Sequence, residues 1–148
     1  MAVYYPPVGF HFKVEVLDIP ATDHDVRFTE VGGLSVEMGS EEVAEGGENR
    51  FLQKFPTRTK YPELMLKRGL LVNSEFIKWI RECLEDFNIQ PKNVDIQLLN
   101  ENHEPLMTWH VVNAFPTKWH VSDLNATSNS LVIESLQLYY QYFRTKPG

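Results

Sequence analysis

One segment of this chain has the hydrophobic period of an α-helix, and it restricts what the rest of the chain can form. Between residues 73 and 88, apolar side chains recur at spacings of three and four, which places them on one helix face. Asn73 or Ser74 can cap the first turn. We therefore predict a helix at residues 73–88. A strand at residues 61–68 precedes it, and Gly69 lets the chain turn from the strand into the helix.

Elsewhere, apolar and polar residues alternate, which is the period of a half-buried strand. Clear runs begin at Phe10 and at Val94, and the second run continues through a turn at residues 100–105 into a return strand. Two runs change parity, after Val16 and within residues 131–143, which indicates a bulge, a twist or burial on both faces. With about six to eight strands and one helix, the chain is predicted to be mainly β, a barrel or sandwich with a helix against it.

Connections are predicted where polar residues, glycine or proline accumulate. Residues 40–50 are acidic and contain two glycines, so we expect a long exposed loop there. Residues 56–60 are predicted to form a basic turn, and residues 1–8 an extended tail. A break near Asn113 separates the return strand from another short strand at residues 115–121.

The totals set the broad class of protein. A chain of 148 residues is long enough for one domain with its own core, so residues 1–148 are predicted to be a single domain. Its 14 basic and 20 acidic residues give a net charge of −6, which argues against a nucleic-acid binder. The single cysteine excludes an intrachain disulfide, and we find neither a signal peptide nor an apolar run of membrane-spanning length.

The residues that could carry chemistry form no recognisable site. The histidines have no metal-ligand spacing, although His110 and His120 are predicted in adjacent strands and could meet. Cys83 lies on the apolar helix face, as expected of a core thiol. The aspartates between residues 18 and 25 are typical of a solvated turn, and phosphate-binding or nucleophile-elbow motifs are missing. We predict no enzyme activity and no cofactor or metal. A pair of carboxylates that meets only in space remains open.

Two features suggest self-association. The strands near the chain ends are apolar on both parities, and residues 40–50 are long for a passive connection. Either the chain is a monomer with a two-sided core, or it buries strand edges and loops against copies of itself.

Several segments occur in an order and spacing that resemble a known family. They include Phe-Thr-Glu-Val-Gly-Gly-Leu at residues 28–34 and Leu-Met-Leu-Lys-Arg-Gly at residues 64–69. The other segments lie at residues 9–14, 45–47, 60–62, 109–116, 122–126 and 133–136, together with Trp79. Together they resemble the tail tube protein family of contractile phages and phage-tail-like contractile injection systems. One departure is Thr57, which follows Pro56 where the family usually has glycine.

The resemblance implies two packed antiparallel β-sheets that form a barrel-like body with one flanking helix. It implies stacked hexameric rings around a lumen, inside a sheath that contracts and drives the tube into a target. The implied partners are other copies, the sheath protein, and baseplate, spike and tube-end proteins. It leaves open whether the lumen carries protein or DNA. Because no signal peptide is found, we expect assembly in the bacterial cytoplasm.

The resemblance also implies a subunit interface that contains Gly32, Gly33, Glu45, Gly46, Gly47, Lys67 and Arg68. In that interpretation the Glu-Gly-Gly loop reaches a neighbour, and the glycine pair permits a strand to pass between sheets. The two basic residues either pair with acidic residues of a neighbour or form a solvated strand end. Trp79 faces either the sheath or the core.

Other interpretations are kept as alternatives. A tube initiator on the baseplate side, or a tube-end protein, would share the fold. A type VI secretion tube subunit has a similar fold but usually different motifs. A small ligand-binding barrel would have the strands without the assembly.

Overall fold

The computed structural model describes residues 11–19, 27–43, 53–71, 74–127 and 131–147. Within them the chain is mainly β, with antiparallel sheets and a helix, as predicted. The elements are β1 (His11–Val16), β2 (Arg27–Phe28), β3 (Glu30–Gly32), β4 (Glu37–Val43), β5 (Gln53–Lys60), β6 (Leu64–Gly69), α1 (Glu75–Leu84), β7 (Lys92–Leu99), β8 (Pro105–Val121), β9 (Ile133–Tyr139) and β10 (Tyr142–Pro147). The tail predicted at residues 1–8 lies outside the described residues.

Two sheets share the long strand β8. The first sheet has the order β2-β1-β7-β8-β10, and the second has the order β8-β9-β6-β3. Strand β8 is 17 residues long; its first part pairs with β7 and β10, and its second part pairs with β9. The break predicted near Asn113 is therefore wrong, because the strand continues through it. Strand pairing among the described residues does not close these sheets into a barrel.

A bend at Asn113 carries β8 from one sheet to the other. Asn113 has a φ of 54°, which asparagine tolerates better than most residues. Its backbone N–H donates to Asn93 Oδ1 at 3.0 Å, and its Nδ2 donates to Gln141 Oε1 at 3.0 Å. Directly across, the paired chain leaves β9 after Tyr139 and resumes as β10 at Tyr142. The change of parity predicted within residues 131–143 lies elsewhere, between Ile133 and Leu136, and the structure shows no slip there, because the buried positions run from Glu134 to Tyr140 at every second residue.

A second sheet switch occurs between β2 and β3. Phe28 pairs with Phe12 in the first sheet, whereas Glu30 pairs with Lys67 in the second. Between them, the Thr29 N–H donates to the Lys67 carbonyl at 2.9 Å. The passage between sheets is therefore at Thr29, upstream of the glycine pair that was expected to permit it.

Helix α1 packs its apolar face into the core between the sheets. Ser74 is its N-cap and accepts a hydrogen bond from the Ile77 N–H at 3.1 Å, which confirms one of the two predicted caps. Trp79 is buried and its Nε1 donates to the Gln90 carbonyl at 2.9 Å, so this side chain faces the core. Cys83 is also buried, as expected of a core thiol. The helix ends at Leu84, four residues before the predicted end.

Strands β4 and β5 form a separate two-stranded hairpin. Ser40 to Val43 are strand rather than the predicted loop, and residues 56–60 are strand rather than a turn. The rest of the predicted loop, residues 44–50, lies outside the described residues. Because nearly all described side chains of the hairpin are exposed, it needs few apolar residues. Its composition therefore resembles that of a loop.

The fold requires glycine at Gly33 and does not require it at Gly69. Gly33 has a φ of 89°, and a Cβ there would lie 2.3 Å from the Glu63 carbonyl oxygen. The hydroxyl of Tyr140 donates a hydrogen bond to the Gly33 carbonyl at 3.4 Å. Burial of this hydroxyl, and secondarily the nearby Tyr61, raises the pKa of Tyr140 to about 12. Gly69 instead lies within β6, where a Cβ would make ordinary contacts of 3.7 and 3.9 Å with Leu131.

We expect Gly33→Ala to lower the free energy of unfolding by about 2 kcal/mol or more, because it combines a left-handed backbone with a backbone clash. The matched variant Gly69→Ala should change it by less than about 0.5 kcal/mol. Urea unfolding of the two variants checks this pair. Equal stabilities would contradict the assignment.

No helix among the described residues has the length and apolar character required to cross a membrane.

Candidate assembly surfaces

The structure places the predicted interface residues in different environments. Gly32 and Gly33 lie at the end of β3, and Lys67 and Arg68 lie in β6. Glu45, Gly46 and Gly47 lie outside the described residues, so their predicted role stays a prediction.

Arg68 lies in a buried polar cluster rather than at a solvated strand end. It is 2% exposed, and its Nε donates to Oε2 of the fully buried Glu134 at 2.7 Å. Its Nη2 donates to Ser74 Oγ at 3.0 Å, and its guanidinium lies 4.7 Å from the centroid of the Phe28 ring. Trp119 Nε1 donates to the other Glu134 oxygen at 3.0 Å. The prediction that Arg68 pairs with an acidic residue of a neighbour is therefore wrong, because its charge is satisfied within the subunit.

The sequence itself contains a signal for this cluster. Arg68 has the parity of the buried Leu64 and Leu66, and Glu134 has the parity of the buried Leu136 and Leu138. Two opposite charges on the buried parities of two strands indicate that the strands are neighbours. The two residues are direct cross-strand partners. The cluster ties β6, β8, β9 and the cap of α1 together.

Lys67 points to the outer face of the second sheet. It is half-buried, it lies across from Glu30 on β3 and from Ser135 on β9, and it has no ion-pair partner among the described residues. Its predicted pairing with a neighbouring subunit stays a prediction.

The β4–β5 hairpin exposes apolar side chains on both faces. Met38 is 64% exposed and Phe55 is 47% exposed. Cross-strand register places Met38 beside Thr59 on one face and Phe55 beside Glu41 on the other. A two-stranded hairpin without cover is marginally stable in water. This hairpin is therefore a candidate contact with another polypeptide.

Two strands of the second sheet have an unpaired edge among the described residues. From Phe115 to Val121, β8 pairs with β9 on one side and with no described strand on the other. Strand β3 likewise pairs only with β6. Open edges of this kind are templates for pairing with another chain.

The histidines do not form the pair considered from the sequence. His110 and His120 lie on the same strand, β8, rather than on adjacent strands. His110 Nδ1 lies 2.5 Å from Asp95 Oδ1 on β7, and the His11 ring stacks on His103 at 5.3 Å. The described residues contain no cluster of three or more His, Cys, Asp or Glu that could hold a metal ion.

An uncovered hairpin and open strand edges among the described residues are surfaces through which a β-rich body can join a larger assembly. The family model described as T4-like virus tail tube protein gp19 matches residues 8–144 of this chain. The chain therefore belongs to that tail tube family, as the sequence motifs predict. No curated protein matches the chain in sequence.

Solved structures of injection particles contain similar chains. One, from the six-fold symmetrised baseplate of the anti-feeding prophage, is 31% identical with a TM-score of 0.83; the match covers 99% of this chain and 98% of that one. Another, from the extended sheath–tube complex of the extracellular contractile injection system PVC, is 28% identical with a TM-score of 0.80, covering 99% and 95%. Hcp1 from Flavobacterium johnsoniae is 14% identical with a TM-score of 0.58, covering 93% and 96%, which is a likeness of fold alone.

Proposed function

We propose that this chain is the inner tube subunit of a contractile tail or contractile injection particle, and that it assembles into stacked six-fold rings around a lumen. The observation that carries the proposal is the family match over residues 8–144. The likeness to a chain of an extended sheath–tube complex, over nearly the full length of both, supports the same function.

The structure supplies the physical means of assembly. A ring requires a heterologous contact, in which one surface of a subunit meets a different surface of the next. The open edges of β8 and β3 are two such different surfaces on one sheet. The exposed hairpin supplies a third contact, which can link a subunit to its neighbours within or between rings.

In this function the chain acts mechanically rather than as an enzyme. Its partners are other copies of itself, an outer sheath, a baseplate at one end and a tube-end protein at the other. We infer assembly in the bacterial cytoplasm. The buried cluster of Arg68 and Glu134 stiffens the body, because it fixes the helix and three strands relative to one another.

A second candidate is a tube initiator on the baseplate side. The observation that favours it is the 31% identity to a chain of a baseplate structure. Copy number separates the two functions. A dominant band at 17.2 kDa in purified particles supports the main tube, whereas one or two rings of this chain per particle would support the initiator.

Electron microscopy of the purified full-length chain tests the proposed function. We expect six-fold rings that stack into tubes as the protein concentration rises. A protein that stays monomeric at high concentration, with neither rings nor tubes, would contradict the proposal.

A further inference from the structure

Phe87, just after α1, has a backbone conformation and an exposure that are unusual for a large aromatic residue. Phe87 has a φ of 50° and its side chain is 83% exposed. Glycine is the usual residue in a left-handed position after a helix, and a bulky side chain there is an outlier. Strain of this kind, combined with exposure of a large aromatic ring, indicates a contact made outside the subunit.

The surroundings of Phe87 have two further unusual features. Leu84 and Ile89 are also exposed, so three large apolar side chains lie within six residues. Glu82 and Asp86 add negative charge at the C-terminal end of the helix, where its dipole favours a cation. Glu85 is not counted with them, because its carboxylate lies 3.7 Å from Arg81 Nε and forms an ion pair there. We name Glu82, Leu84, Asp86, Phe87 and Ile89 the helix-end patch.

Strand β5 of the hairpin has the complementary character, whereas β4 beside it carries Glu37, Glu41 and Glu42. The hairpin exposes the apolar Met38 and Phe55, and β5 carries three exposed cations. Lys54 lies 3.7 Å from Glu42, whereas Arg58 and Lys60 have no carboxylate within ion-pair distance among the described residues. Within a subunit, the extensive contacts of this hairpin are those between its own two strands.

We propose that the helix-end patch of one copy receives strand β5 of another copy, with Phe87 as the apolar anchor and Asp86 facing the cation of Arg58. The inference rests on the proposed function and specifies one of its contacts. Among the described residues, neither surface is covered by another part of the subunit, and the exposed charges of β5 are opposite in sign to those of the patch. Because the two surfaces differ, the contact is heterologous and repeats from copy to copy, as a ring or a stack requires.

Phe87→Gly separates this role from a structural one. Glycine relieves the left-handed strain, so the thermal midpoint of the unassembled subunit should stay the same or rise. Loss of the anchor should raise the concentration threshold for tube formation by about tenfold or more. Leu124→Ala, which removes another exposed apolar side chain, is the matched control and should leave the threshold unchanged. A threshold for Phe87→Gly equal to that of the unmodified chain would overturn the proposal.

Charge exchange tests the identity of the partner surface. Asp86→Arg and Arg58→Asp should each raise the threshold, and the double variant should recover most of the loss, because the two charges are exchanged across the contact. Glu101→Arg, on an exposed turn, is the control and should shift the threshold by less than about twofold. No recovery in the double variant would overturn the pairing, and so would native particles in which the variant tube forms normally but the sheath does not attach. An unmodified chain that never assembles would instead contradict the proposed function.

Discussion

A subunit without its β4–β5 hairpin is expected to fold and to form no tubes. Replacing residues 39–58 by Asn-Gly joins Met38 to its cross-strand partner Thr59 through a two-residue turn. The body should keep its stability, because no described residue of the hairpin belongs to the buried core. Assembly should be lost, because the surface that we propose to contact other copies is gone.

Circular dichroism and sedimentation, followed by negative-stain microscopy, measure the two outcomes on the same sample. The cut follows the observed register, whereas removal of residues 41–48 alone would leave residues 53–55 of β5 without their partners. The double substitution Met38→Ser with Phe55→Ser is the matched control for exposed apolar surface, and it should weaken assembly without shortening the hairpin. Normal tubes from the truncated chain would refute the role of the hairpin.

Most of the elements that form the body are predictable from the sequence. Period-two alternation locates β1, β7, β8 and β9 because each has one face in the core, and the threefold and fourfold spacing locates α1. The parity change after Val16 marks the end of β1, where the chain turns at Asp18 with a φ of 72°. Burial of one face of an element produces its hydrophobic periodicity, so the elements that line the core are the ones that periodicity can predict.

The assembly surfaces are less predictable because local patterns do not describe them. The hairpin is exposed on both faces, so its strands lack the alternation that a core imposes, and Pro56 and Gly39 make them resemble turns. The charge of Arg68, taken alone, suggests an interface. Its position on the same face of β6 as Leu64 and Leu66 indicates burial instead. Phe87 fits the apolar helix stripe by spacing, and its left-handed backbone is visible only in the structure. Family resemblance supplies what periodicity cannot, namely the assembled state.

Removing one charge of the buried pair is expected to destabilise the subunit strongly. Glu134→Gln leaves the guanidinium of Arg68 buried without a counter-charge, so we expect a loss of about 3–5 kcal/mol in the free energy of unfolding. Arg68→Met leaves the carboxylate buried and should cost a similar amount. Arg68→Met removes the hydrogen-bond donor to Ser74, whereas Glu134→Gln changes the acceptor of Trp119, so the two losses need not be equal.

The double variant Arg68→Met with Glu134→Leu distinguishes a buried ion pair from simple loss of packing. With both charges removed, no uncompensated charge stays in the core, so the double variant should be more stable than either single variant. Lys67→Met, one residue away but on the outer face, is the control and should change stability by less than about 0.5 kcal/mol. Urea unfolding in the hairpin-truncated chain keeps assembly from contributing to the measured stability. Single-variant losses that simply add in the double variant would show that Arg68 and Glu134 act independently, and would rule out the buried ion pair as the source of their effect.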